Sequence, residues 1–314
     1  MPSALVFFSE FSEAPSKAQR ELLTLASGFE NPAVSVASQV SAAAQEVLAS
    51  YGVVKLYTAS SEAQVFGEHE LSVLDAALQA TGAGLVLLAN DNFSRELGAR
   101  LAVRHNGAII TDVIGITGDL VATKDELAGS YSVQAKPTNG TLFATLKPNS
   151  IEDAPAAASV PLAVEELALE DSSDAKVRIA AAEAKAASDR PALTEARVVV
   201  AGGRGVNGDF GPVEDLADAL GAAVGASRAA TDAGWISHDA QIGQTGVTVA
   251  PQLYISAGIS GAIQQKAGMQ TSKFIIAINK DVDAPVFEIA DLGIVGDLAK
   301  VLPQAAEEIR RRKA

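Results

Sequence analysis

The side chains best suited to chemistry are concentrated in the last third of this chain. Gly203-Arg204-Gly205-Val206-Asn207-Gly208 follows an apolar run and fits G-x-G-x-x-G, a spacing in which bare glycines let backbone amides approach a pyrophosphate. The next helix is expected only from about Pro212, later than in a dinucleotide fingerprint of the Rossmann type. The segment therefore reads as a tight turn or, better, as the nucleotide-facing loop of another α/β fold. Gly225-Ala226-Ser227-Arg228 ends a second apolar run, and Gln241-Ile242-Gly243-Gln244-Thr245-Gly246 is a polar loop whose Gln and Thr side chains can hydrogen-bond a flat heterocycle. Leu253 to Gln265 passes from a strand through Ser260-Gly261-Ala262 into a short helix with Ile263, Gln264 and Gln265. Free amides and the Ser260 hydroxyl there suit a phosphate. Ile278-Asn279-Lys280-Asp281 closes a further strand at its carboxyl end, where open α/β sheets bind ligands. So many polar loops at strand ends favour an extended ligand such as a dinucleotide over a small anion.

Such loops need a sheet to hold them. Arg197 to Ala201, Ala222 to Gly225, Leu253 to Ser256, Phe274 to Asn279 and Leu292 to Val295 are expected strands, with helices at Val213 to Leu220 and from about Leu298 to Arg312. Upstream, Ala4 to Phe8, Ala33 to Ala37, Val53 to Thr58 and Leu85 to Ala89 alternate with helix-period segments at Ser16 to Ala26, Gln39 to Ser50, His69 to Ala80 and Phe93 to His105. This rhythm predicts an α/β protein of two domains: an N-terminal doubly wound parallel sheet over 1–190, then a smaller α/β domain over 191–314. Ser132 to Lys136 and Thr141 to Lys147 flank the turn Pro137 to Gly140 and are expected to pair as a hairpin.

Composition removes several classes of function. The 314 residues carry 24 Lys and Arg against 38 Asp and Glu, a net charge of −14 that repels nucleic acid and anionic membrane surfaces. No run approaches the roughly 18 apolar residues of a spanning helix, and Met1 to Phe8 lacks a basic leader, so a cytoplasmic protein without membrane insertion is expected. With no cysteine, thiolate chemistry and Fe–S ligation are excluded. His69, His105 and His238 are too scattered for a metal site and are read as solvated or helix-end residues. Glu165-Glu166, Glu170-Asp171 and Asp281 with Asp283 read as solvated charge, as does the helix-end cluster Arg310 to Lys313, favoured there by the helix dipole.

From Arg197 to about Pro303 the chain closely resembles the alpha subunit of electron transfer flavoprotein. Gly202-Gly203-Arg204-Gly205, Gly225-Ala226-Ser227-Arg228-Ala229-Ala230, Gln244-Thr245-Gly246, the Leu253 to Gln264 signature and Ile278-Asn279-Lys280-Asp281 occur in the family's order. The resemblance implies FAD in the second domain and a beta subunit carrying AMP as partner. It also implies an electron carrier rather than a catalyst, serving donors such as acyl-CoA dehydrogenases and a membrane quinone oxidoreductase. It places Arg228 over the flavin ring, where a guanidinium stabilises negative charge on the reduced ring. Thr245, with Gln244 beside it, falls near flavin N5; Ser227, Ser260, Gly261 and Asn279 fall by the pyrophosphate or ribityl chain; Arg204 falls by a phosphate and Asp297 at the adenosine end. Ile242, Gly243, Ala262, Ile263, Gln264 and Leu298 complete the implied contacts. One departure is Gln265, where histidine is common beside the flavin C2 carbonyl; glutamine donates there but cannot become cationic. The resemblance further implies that the first domain makes most of the contact with the partner and that the second pivots near Arg190 and Pro191. Two other readings compete: an NAD(P)-binding oxidoreductase built on Gly203 to Gly208, and a non-redox nucleotide-binding regulatory subunit.

Overall fold

The computed structural model describes residues 1–60, 66–127, 129–169, 177–181 and 189–313. The charge run Glu170-Asp171 lies outside them. Two compact units emerge: Met1–Asp125 with Ser132–Lys185, and Glu126–Tyr131 with Ala186–Ala314.

In the first unit, β1 (Ser3–Phe8), β2 (Glu30–Val36), β3 (Lys55–Thr58) and β4 (Leu85–Ala89) are parallel, alternating with α1 (Lys17–Ala26), α2 (Ala42–Ser50), α3 (Glu68–Thr81) and α4 (Asn92–Arg104). Every residue from Ala4 to Phe8 is buried because helices cover both faces: Val6 and Phe8 join one core with Leu22 and Leu48, while Leu5 and Phe7 join another with Leu74 and Leu101. Helix starts are set by side chains, as when Ser16 and Gln19 satisfy each other's backbone in a capping box on α1 and Asp91 accepts from the Ser94 amide on α4.

The expected hairpin is not formed. After α4 come β5 (Ala108–Ile116), β6 (Ala122–Glu126), β7 (Tyr131–Ala135) and β8 (Leu142–Leu146), and β8 inserts between β4 and β5, parallel to both. All five residues of β8 are buried, a two-faced apolar run that suits only a central strand, whereas β7 is mostly exposed and lies at the sheet edge beyond β6. The antiparallel pair is instead β5 with β6. At the other edge, β9 (Ala163–Glu166) lies beside β3, and Lys55 Nζ meets Glu165 at 2.8 Å. Glu165-Glu166 is therefore an edge strand whose charge discourages further pairing. The sheet order is β7-β6-β5-β8-β4-β1-β2-β3-β9.

The second unit is a five-stranded, wholly parallel sheet in the order β11-β10-β12-β13-β14. Its strands are β10 (Val198–Gly202), β11 (Ala223–Ala226), β12 (Leu253–Ala257), β13 (Ile275–Asn279) and β14 (Leu292–Val295), with α5 (Gly211–Leu220), α6 (Arg228–Asp232), α7 (Ile263–Lys266) and α8 (Leu298–Lys313). Val213, Leu216 and Ala217 of α5 and Leu302 and Ala306 of α8 pack with Val200, Ile255 and Ile278 on one face. The basic end of α8 is not merely solvated: Arg310 forks onto Asp215, and Lys313 Nζ donates to the Ala219 carbonyl, fastening α8 along α5. Arg190 makes a two-point ion pair with Asp218 of α5 (2.7 and 3.0 Å), so the expected pivot residue is clamped to this unit. Among the described residues no helix is long and apolar enough to cross a membrane.

Leu302 is fully buried between α8 and the sheet. Leu302→Ala is expected to destabilise the protein by about 2–5 kcal/mol, read as a lower urea midpoint with an unchanged slope.

Candidate functional site

Because every strand of the second sheet is parallel, all carboxyl ends open on one edge, and the loops singled out by sequence sit along it. Five strands at about 4.8 Å spacing span roughly 19 Å, the scale of an extended ligand rather than a lone anion. Backbone bonds lace the loops together beyond the regular ladder: Ser227 donates to Gly202, Gly203 to Ala257, Gly258 to Ile278 and Gly296 to Asn279, all at 2.9–3.0 Å.

The chain passes from β11 back across β10 to β12, so the order reverses between the loops after β10 and β12. Those two loops touch backbone to backbone. A Cβ on Gly203 would stand 2.5 Å from the Gly258 carbonyl oxygen, and one on Gly205 would stand 2.7 Å from Gly258 Cα. Gly205 N donates to Gly258 O at 3.0 Å, and Leu298, 8% exposed, packs under both glycines. This contact brings the Arg204 turn and the Ser260 loop together over adjacent inner strands, with Leu298, next to Asp297 at the start of α8, packed against it. Arg204 and Ser260 are exposed there, within a short 3₁₀ turn and a loop respectively. Asp297 caps α8 by accepting from the Ala299 amide.

A second zipper joins the loop after α6 to α7. Gln244 N donates to Gln264 O at 2.7 Å, while a Cβ on Gly268 would collide with the Gly243 backbone. Ile242 is 1% exposed and fills the space that Gly225 leaves open, so only its main chain can face a ligand. Gln244, Thr245, Ala262, Ile263 and Gln264 are exposed, and Ile263 shows 80% of its surface. Arg228 opens α6 with its side chain 70% exposed, held by Asp232 at 3.2 Å.

Asn279 is partly committed within the protein: its Nδ2 donates to Ile259 O and its Oδ1 accepts from the Asp281 amide, leaving one N–H. Gln265 is buried, and its Nε2 donates to Tyr254 Oη at 2.8 Å. Tyr254 is fully buried, and that burial pushes its phenol well above the ordinary value, opposed by the Gln265 bond. The sequence marks Gln265 by its position but gives no sign of Tyr254, whose role depends on strand and helix meeting. Gln241 opens the polar loop marked in the sequence, but its place between two threonines is not visible there. It is 8% exposed, donates to Thr245 Oγ1 at 3.1 Å and accepts from Thr231 Oγ1 at 3.0 Å.

Of the histidines, His69 bonds Ala37 O and His105 bonds Asp75, both half-buried, while His238 is exposed in a 3₁₀ turn. Among the described residues no group of three His, Asp or Glu could hold a metal.

Does this edge fit a flavin dinucleotide? Ser227 Oγ is buried without a hydrogen-bond partner at the end of β11, an acceptor and donor awaiting one. The glycines after β10 and β12 let the two loops pack backbone to backbone at the point where the strand order reverses, and the exposed Arg228 supplies a cation. These features fit the group.

Comparison with known proteins agrees with that fit. The family model described as "Electron transfer flavoprotein FAD-binding domain" matches residues 192–270, and the one described as "Electron transfer flavoprotein domain" matches residues 7–172. The electron transfer flavoprotein subunit alpha of Mycobacterium leprae (strain TN) is 42% identical over 321 residues, the whole of both chains. That of Bacillus subtilis (strain 168) is 38% identical over 286 residues, 88% of this chain and 87% of the relative. That of Paracoccus denitrificans is 40% identical over 268 residues, 84% and 85%.

Removing the Tyr254 hydroxyl strands a buried amide, so Tyr254→Phe is expected to cost about 1–3 kcal/mol. The pH dependence has a fixed sign. With the folded phenol raised above its ordinary 10.0, the stability tied to neutral Tyr254 is complete below about pH 10 and declines as pH rises beyond it. Urea unfolding from pH 8 to 11 checks both, since Tyr254→Phe starts weaker but loses that part of the alkaline decline.

Proposed function

Since this chain belongs to the electron transfer flavoprotein family, as an alpha subunit whose second unit is the FAD-binding domain, we propose that it carries electrons between partners and turns over no substrate of its own. The reading rests on the carboxyl edge of the second sheet, where an unpartnered buried Ser227 hydroxyl and the exposed Arg228 next to it join the glycine-packed loops after β10 and β12.

The proposed assignments follow from what each group can still do. Ser227, Ser260 and the Gly261 backbone hold the pyrophosphate and ribityl chain, with Arg204 neutralising a phosphate. Gly261 sits at φ +85°, and any Cβ there would meet the Val286 backbone, so the turn that presents its amide admits only glycine. The free N–H of Asn279 adds one hydrogen bond, and Asp297 and Leu298 border the adenosine. The main chain of Ile242 and Gly243, with Gln244 and Thr245, faces the ring, while Ala262, Ile263 and Gln264 wall its other side. Gln265 offers the flavin C2 carbonyl only the N–H not given to Tyr254. When bound, FAD supplies the one- and two-electron chemistry; the protein orients the ring and sets its potential. Arg228, carrying a permanent charge, favours added negative charge nearby.

The partners are part of the same proposal: a beta subunit carrying AMP, donor dehydrogenases such as acyl-CoA dehydrogenases, and a membrane quinone oxidoreductase as acceptor, in the cytoplasm. The alpha-subunit designation of the relatives supports the first of these.

Co-production with the beta partner, followed by an absorption spectrum and chromatography of the released cofactor, is expected to give flavin bands and one FAD per heterodimer. A colourless folded complex that binds NAD(H) overturns the proposal. In the flavin-loaded complex, Arg228→Ala is expected to lower the first one-electron reduction potential by about 40 mV, corresponding to roughly 1 kcal/mol for loss of a solvated neighbouring charge.

A further inference from the structure

The loop after α6 contains a polar side chain that reaches the exposed edge only through another residue. Gln241 is buried. Its amide stands between two hydroxyls, Thr231 Oγ1 on the carbonyl side at 3.0 Å and Thr245 Oγ1 on the nitrogen side at 3.1 Å. Thr231 is itself 2% exposed. Both inner members are therefore fixed by burial, while the outer one, Thr245, is exposed.

An amide has a donor end and an acceptor end, whereas a hydroxyl rotates to suit either. In the arrangement present, Gln241 donates to Thr245, so a lone pair of Thr245 is used and its O–H proton is left to point outward. The acceptor end of Gln241 is occupied by the Thr231 proton, which keeps the amide in this sense. The Arg228 carbonyl, 3.0 Å from Thr231 Oγ1, offers that proton a second place. If Thr231 donates there instead, the amide can turn over: Nε2 then donates to Thr231, and Oε1 accepts the Thr245 proton. Thr245 then presents lone pairs rather than a proton to whatever it faces. Each end of the Gln241 amide keeps a partner in either arrangement, which makes both accessible.

We propose that Gln241 is a positioning residue that sets the hydrogen-bond polarity of Thr245 toward the cofactor, with Thr231 and the Arg228 carbonyl as the two settings. The inference rests on the proposed placement of Thr245 beside flavin N5. That nitrogen accepts a hydrogen bond in the oxidised ring and donates one when protonated, so a hydroxyl whose polarity can reverse matches both forms.

The test is a double-mutant cycle in the FAD-loaded complex, reading the visible absorption band and the midpoint potential. Gln241→Met keeps the side-chain length and removes the polar ends. The expected result is a lower potential and an altered band shape with Thr245 present, and no further change when Gln241→Met is added to Thr245→Val. Equal shifts in both backgrounds overturn the positioning role while leaving the flavin reading intact. If Thr245→Val alone changes neither spectrum nor potential, the placement of Thr245 is wrong and this proposal falls with it. Should Gln241→Met not retain FAD, Thr231→Val completes the same cycle, since it removes the hydroxyl that holds the acceptor end; the same outcomes decide.

Discussion

The arrangement of the second unit depends on how closely two backbones approach after β10 and β12. A methyl group on Gly203, Gly205 or Gly258 would drive these loops apart by more than a side chain can absorb, because the obstructing atoms are main chain or the packed Leu298. Close approach brings the Arg204 turn against the Ser260 turn and lets Leu298 seal the contact from beneath. The loops lie where the strand order reverses, so the cleft that such a reversal leaves in any open α/β sheet is here lined by backbone. The side chains that matter for a ligand are then held at the rim by elements that cannot shift independently.

Polar accounting divides that rim into groups already satisfied and groups still open. Tyr254 with Gln265, and Gln241 with Thr231, are each joined by a hydrogen bond inside the fold, which commits part of their capacity before any ligand binds. Ser227 is the opposite case, a buried hydroxyl without a partner whose desolvation a ligand oxygen would offset. Ser256 is equally buried and unpartnered within β12, and nothing in the structure explains it. Satisfied residues thus position, and unsatisfied or exposed ones bind; exposure alone does not separate the two.

Much of the architecture was legible because apolar period and strand-end punctuation are local properties. β1 to β4 and β10 to β14 fall close to the runs read from sequence, and Ser16 and Pro212 mark helix starts through chemistry visible in the residues themselves. The failures share a different cause. The turn at Pro137 to Gly140 does connect two strands, but whether those strands pair is decided by what else competes for the edge, and the doubly apolar β8 is worth more in the centre of the sheet than beside β7. β5 was missed because its residues are half-buried and lack clean alternation. Nor does any local pattern reveal that Gln265, read from sequence as a donor to the flavin, gives one N–H to Tyr254 eleven residues earlier. Gln241 is marked in the sequence only as part of a polar loop, since its place between Thr231 and Thr245 depends on the fold.

On the electron-carrier reading, the asymmetry of this edge has a physical logic. A site that transforms a substrate gains from enclosure, because excluding water strengthens every charge interaction within it. A site that only passes electrons gains more from proximity to a partner's surface, and enclosure would add distance. Here the inner half of the edge is rigid and the outer half is open: Ile263 is 80% exposed, Arg228 is 70% exposed at the side chain, and Thr245 and Gln244 stand in solvent. An isoleucine so exposed is unfavourable in isolation, which suits a surface that a ligand and a second protein cover in turn. Arg228 contributes under the same constraint, since a guanidinium keeps its charge whether wet or covered, whereas a histidine or lysine would change its protonation as the surface closed.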